Sequence, residues 1–271
     1  MDILSFKVAL AIYFISALGY LTSLYVRRVL VAKIATWVLT VAFINHTIFF
    51  VFRYAGTGQI PIMSLHETLS FFAWAMSGIY LAFQLKTKTR ILGAFVSPVA
   101  FLLMILASVG LGGPVSIPPA LQGNLVPVHV ALAVMGEALF ALASLAGAMY
   151  LIQEGLIKNK KMSSFTRILP SLTDLDRINH ISLLWGFPLL TLGILVGSIW
   201  ARTVWGSLWQ WDPKQVWTLT AWIFYALILH QRIAIGWKGR KAALSSLLAF
   251  GFLLASFVIV TLCFVTAHTF I

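Results

Sequence analysis

The chain has 271 residues, 61% of them hydrophobic and only 10% charged, with a mean hydropathy of +0.96; soluble globular domains carry about 25% charged and about 45–50% apolar residues. This is the composition of an all-α, polytopic integral membrane protein. At roughly 20 apolar residues per span the length allows about eight helices and leaves nothing for a soluble cofactor-binding domain. Continuous apolar blocks also exclude a β-barrel, whose strands alternate with period two. The single cysteine, Cys263, lies in an apolar run, so paired-thiol chemistry is excluded as well.

In chain order, apolar blocks predict spans near 3–26, 30–52, 66–85, 91–110, 129–153, 180–200, 215–234 and 243–267, in one transmembrane domain covering 1–271. The first block lacks the basic leader and small-residue cleavage site of a signal peptide and is read as a retained helix. Basic residues fall on alternate connections: Arg27, Arg28 and Lys33; Lys86, Lys88 and Arg90; Lys158, Lys160, Lys161, Arg167 and Arg177; Arg232, Lys238, Arg240 and Lys241. The positive-inside rule places these fifteen of the nineteen Lys and Arg in the cytoplasm, leaves Lys7, Arg53, Arg202 and Lys214 on the other side, and puts both termini on the outer side. The net charge of +12 is thus a topology signal, and no nucleic-acid partner is expected. The longest of these cytoplasmic connections, about 154–179, reads as a solvated linker, while the outer connection 110–128 is rich in glycine and proline and carries no charge.

The most unusual segment is 199–217, where Trp200, Trp205, Trp209, Trp211 and Trp217 crowd into eighteen residues. An interfacial aromatic belt explains one or two such rings. It does not explain Gly206, the Asp212-Pro213 step, or the clustering on one loop. A flat set of indole faces beside a carboxylate and two cations, Arg202 and Lys214, suits a large planar apolar ligand with acidic groups, such as a porphyrin; the alternative for the two cations is an ordinary interfacial charge.

The pattern Trp205-Gly206-x-x-Trp209-x-Trp211-Asp212-Pro213-Lys214-x-x-Trp217 resembles the WWD signature of haem-handling proteins, and its Asp-Pro-Lys continuation resembles the CcsA/ResC branch of cytochrome c biogenesis. Further stretches are similar to the same family: Glu67-Thr68-Leu69-x-Phe71-Phe72-x-Trp74, Pro127-x-His129-Val130, Gly186 to Ile194, Ala226-x-x-Leu229-His230 and Gly236 to Ala243. The similarity runs from about residue 60 to the end and is weak over the first two spans. Gln215 departs from it, standing where the family commonly carries glutamate. The resemblance implies haem b as a bound substrate, a CcsB/ResB-type membrane partner, and an apocytochrome c Cys-x-x-Cys-His segment as acceptor. It also implies a bacterial cytoplasmic membrane in preference to a thylakoid. The chain would then be half of a cytochrome c synthase. The outer loops offer no nucleophile or general base, so its contribution would be proximity. The competing reading is a HemX-like membrane regulator or scaffold of haem biosynthesis; a secondary transporter would need inverted repeats, which the sequence does not display.

Six histidines remain to be placed. His129 opens the fifth predicted span on the outer side and His268 closes the eighth on the same side, where the tryptophan loop also projects. Such convergence is what axial ligation of one iron by two imidazoles requires. The resemblance gives both positions that role. His230 lies fifteen residues beyond Gln215, about 22 Å deeper along a helix, and the resemblance makes it the ligand of a separate inner haem. His180 reads as a helix-end residue and His46 as a packing or relay residue. His66 and Glu67 pair at the mouth of the third span. Glu137, two turns past His129, is the remaining costly group within a span.

Overall fold

The computed structural model describes residues 1–26, 28–87, 89–110, 112, 121, 123–160 and 168–264. Among them every regular element is helical: α1 (Asp2–Val26), α2 (Val29–Thr57), α3 (Leu65–Lys86), α4 (Gly93–Gly110) after a 3-10 turn at Arg90–Leu92, α5 (Leu125–Lys158), α6 (Leu172–Trp205), α7 (Pro213–Ile233) and α8 (Arg240–Cys263). All eight predicted blocks are helices. Seven of these helices, all but α7, are long and apolar enough to cross a membrane. The expectation of about eight spans therefore becomes seven apolar ones plus α7, whose Lys214, Gln215, Gln231 and Arg232 lower its hydropathy.

Helices α5 and α6 run well past their predicted ends, each with 34 residues, about 51 Å at 1.5 Å per residue against a hydrocarbon core of about 30 Å. Capping explains the early start of α6. The Ser171 hydroxyl accepts the Asp174 N–H at 3.1 Å, and it donates to the Asp174 carboxylate at 2.7 Å. This N-terminal signal needs no apolar periodicity. Both ends of the predicted 154–179 linker, 154–158 and 172–179, are consequently helix.

Helices α1–α4 pack on one another and on α5 around one apolar core. A second core lies between α5, α6, α7 and α8, built from Phe140, Leu183, Leu190, Tyr225 and Leu253. Shared between the two, α5 holds α6 through small residues: a Cβ at Gly136 would stand 2.9 Å from the Leu190 backbone nitrogen. Transmembrane helices associate by such close approach, since lipid supplies no hydrophobic drive for it.

At the end away from the tryptophan loop, buried Arg232 binds three neighbours. It pairs with the Asp176 carboxylate at 3.0 Å, donates to Asn179 Oδ1 at 2.9 Å, and donates from Nε to His180 Nδ1 at 3.2 Å. Asp176 in turn accepts the Gly239 N–H at 2.8 Å, so one ion pair fastens the ends of α6, α7 and α8. Removing one partner of a buried pair strands the other. Arg232→Ala is expected to cost about 2–3 kcal/mol, less than a fully enclosed pair because Asp176 keeps some solvent; thermal unfolding in detergent measures it.

Candidate functional site

His129 sits on the first turns of α5, and its imidazole is fixed from α6. Nδ1 lies 2.7 Å from the Gly193 carbonyl oxygen. A carbonyl only accepts, so Nδ1 carries the proton and Nε2 keeps its lone pair. This donor arrangement is the one that orients a metal-ligating histidine and raises its basicity. One turn further along α6, a Cβ at Gly197 would stand 2.6 Å from Nδ1 and 2.7 Å from the adjacent ring carbon. Only a glycine there leaves the ring its place.

Beside this histidine the tryptophan loop begins. Trp200 and Trp205, on the last turns of α6, meet edge to face with centroids 4.9 Å apart at 72°. They share a small apolar cluster with Val126 and Val130 of α5, and with Met63 and Leu121. The loop is thereby anchored to the same helix end that carries His129. Gly206 ends α6 with φ +75°, its N–H on the Arg202 carbonyl at 3.0 Å, which is a left-handed cap that other residues adopt at a cost. Ser207 then bridges to Trp209, donating to its carbonyl and accepting its N–H.

Asp212 has a local task that sequence reasoning left open. It is buried, N-caps α7, and accepts the Lys214 N–H at 2.9 Å, while Pro213 fills the first helical position where a missing N–H costs nothing. Gln215 closes the loop: its side-chain oxygen accepts the Gln210 N–H at 2.8 Å. That bond needs an acceptor and no charge, so this role survives the exchange of the usual acid for an amide.

The rings do not form the flat set that the sequence suggested. Trp209 and Trp211 stand perpendicular, centroids 5.6 Å apart at 90°, because edge-to-face contacts satisfy the ring quadrupoles better than a sandwich. Trp211 is 77% exposed and holds φ +56°, a left-handed conformation seldom tolerated by a bulky side chain. The Trp209 indole nitrogen is buried with no hydrogen-bond partner among the described residues. Trp217 turns away from the loop onto Phe252 of α8 at 5.4 Å. Arg202 is exposed and Lys214 half-buried.

The structure separates the histidines. His230 is exposed on the last turn of α7, at the opposite end of that helix from Asp212. His180 Nδ1 is taken by Arg232, which leaves its ring proton on Nε2. His46 is fully buried between Ser70 and Tyr13. The His66 ring lies over Gly110, and Glu67 pairs with Arg53 at 3.1 Å instead of with His66. His268 lies outside the described residues. Among the described residues no three His, Cys, Asp or Glu side chains gather as a metal cage, whereas an iron held by a macrocycle needs only axial ligands. Sequence reasoning missed the Gly193 carbonyl and the Gly197 cradle as partners of His129. A signal was present, since Gly193 and Gly197 have the small-xxx-small spacing of a close helix contact.

Residues 62–268 match the family described as Cytochrome C assembly protein. The chain belongs to that family, in its CcsA branch. It is 32% identical over 257 residues to the cytochrome c biogenesis protein CcsA of Pyropia yezoensis, covering 80% of this chain and 81% of the relative. The CcsA of Chlamydomonas reinhardtii is 34% identical over 213 residues, 76% of this chain and 58% of that one. The CcsA of Microcystis aeruginosa is 30% identical over 260 residues, 78% and 77% of the two chains. The chain is thereby a multi-pass membrane protein of the cytochrome c biogenesis family.

Strain at Trp211 gives a test of the loop. A left-handed bulky residue costs about 1–3 kcal/mol. Trp211→Gly is expected to raise stability by about 1 kcal/mol in thermal unfolding.

Proposed function

We propose that this CcsA protein receives haem, passes it across the membrane, and presents it at the outer surface to apocytochrome c, as half of a synthase with a CcsB/ResB-type partner. One observation supports this above the rest: His129 offers an unprotonated Nε2 on a ring fixed by a carbonyl and a glycine cradle. A histidine kept for packing needs neither a chosen tautomer nor a free nitrogen.

In this reading His129 and His268 hold the outer iron of haem b. Trp205, Trp209 and Trp211 shield its face, with Trp217 holding α7 to α8, the helix that leads toward His268. Gly206 and Asp212 shape the loop, and Arg202 and Lys214 pair with propionates. His230, exposed at the far end of α7, ligates the inner haem together with a group from the partner. Two imidazoles keep the iron low-spin and leave the vinyl edge open. Each cysteine thiol of the acceptor then adds S–H across a vinyl C=C, a thioether step that consumes no oxidant. The chain's contribution is effective concentration and orientation.

The test is the absorption spectrum of full-length protein purified from haem-replete cells. His129→Ala and His268→Ala are each expected to lose the low-spin signature of the outer haem, and added imidazole restores it by replacing the missing ligand. Retention of the wild-type spectrum by both variants overturns the ligand assignment. Wild-type protein that carries no haem supports the HemX-like regulator instead.

A further inference from the structure

The interior of α1–α4 is unusually polar for lipid-embedded helices. Toward the tryptophan-loop end, buried Arg53 joins the Glu67 and Asp2 carboxylates at 3.1 and 3.0 Å. One turn deeper from Glu67, Ser70 meets His46 Nε2 at 2.8 Å, and His46 Nδ1 faces the Tyr13 hydroxyl at 3.4 Å. One turn on from Tyr13 along α1, Ser16 accepts from Ser97 at 3.0 Å. A further turn on, Tyr20 contacts Tyr80 at 3.0 Å and Thr36 at 2.9 Å. Tyr80 finally donates to the Arg90 carbonyl at 2.9 Å, at the other end of the helices.

Tyr13, Ser16, Tyr20, His46, Ser70 and Tyr80 are all shielded completely from solvent. Each step between successive clusters is about one helical turn, close to 5 Å, the reach of one water accepting and donating at about 2.8 Å on either side. Independently, Asn45 Oδ1 on α2 and Gln84 Oε1 on α3 are buried with no hydrogen-bond partner among the described residues; buried polar atoms of this kind are characteristically completed by internal water. Helix association alone explains single hydroxyls. It does not explain a succession that runs from one end of four helices to the other, with buried acceptors beside it that no described residue satisfies.

We propose that α1–α4 form a proton-conducting line across the membrane, with His46 as its central relay. The imidazole takes a proton at one ring nitrogen from the Ser70 side as the other releases one toward Tyr13; reorientation of the hydroxyls resets the line. One proton enters, one leaves, and no bond in the protein is left altered. The groups facing His46 are Tyr13 from α1, Ser70 from α3 and, beneath Ser70, Met104 from α4, with Phe49 and Phe50 of its own helix. The nearest charges are Arg53 and Glu67, about two turns away. This inference does not depend on haem binding.

The experiment uses the full chain in potassium-loaded vesicles with an internal pH dye, valinomycin setting the potential. Wild-type vesicles are expected to acidify severalfold faster than protein-free ones. His46→Gln keeps hydrogen bonding but cannot relay a proton and is expected to fall to the protein-free rate while keeping the wild-type thermal unfolding midpoint in detergent, which certifies its fold. Ser70→Ala, a smaller change, is expected to slow the flux as well. Wild-type vesicles no faster than protein-free ones, or His46→Gln as fast as wild type, overturn the proposal.

Discussion

The hydrogen bond from His129 Nδ1 to the Gly193 carbonyl, 2.7 Å across the seam between α5 and α6, governs the outer site. It forms only because two long helices approach with small residues between them. A Cβ at Gly136 would meet the backbone of α6, and one at Gly197 would meet the histidine ring itself. Close packing thus fixes the tautomer, and the tautomer decides which nitrogen is available. Here the path from glycine spacing to metal chemistry takes a single step.

Around that histidine, half of the tryptophan signature serves local structure. Gly206 ends one helix and the Asp212-Pro213 step begins the next, while Gln215 ties the loop between them. What local structure does not require is the rest: a strained, exposed Trp211 and a Trp209 indole nitrogen with no partner among the described residues. Features kept at a cost in stability mark functional sites more often than scaffold. In this loop scaffold and function occupy alternate positions of one short segment, and composition alone could not separate them.

Much of this architecture is legible in the sequence, because a bilayer converts composition directly into helices of known length. The order of the helices, the tryptophan loop and the placement of His129 beside it could all be read in advance. The longer α5 and α6 could not be read from apolar periodicity, since their ends depend on capping and extend beyond the apolar blocks. Nor could the Arg232–Asp176 pair, whose partners lie 56 residues apart and resemble ordinary loop charges. The edge-to-face tryptophans depend on quadrupole geometry that no spacing encodes. Arg53 illustrates the same difficulty: it looked like one of the few outer-side cations and is the buried partner of Glu67 and Asp2.

The two halves of the bundle divide these roles, polar hydroxyls within α1–α4 and the imidazole with its tryptophans on α5–α7, with α5 packed against both. The most direct measurement on the second half leaves every ligand in place and moves only the cradle: a haem titration of Gly197→Ala beside wild type. The added methyl must displace the His129 ring, so a weakened, no longer low-spin outer haem is the predicted result. Wild-type affinity with a wild-type spectrum would contradict the account.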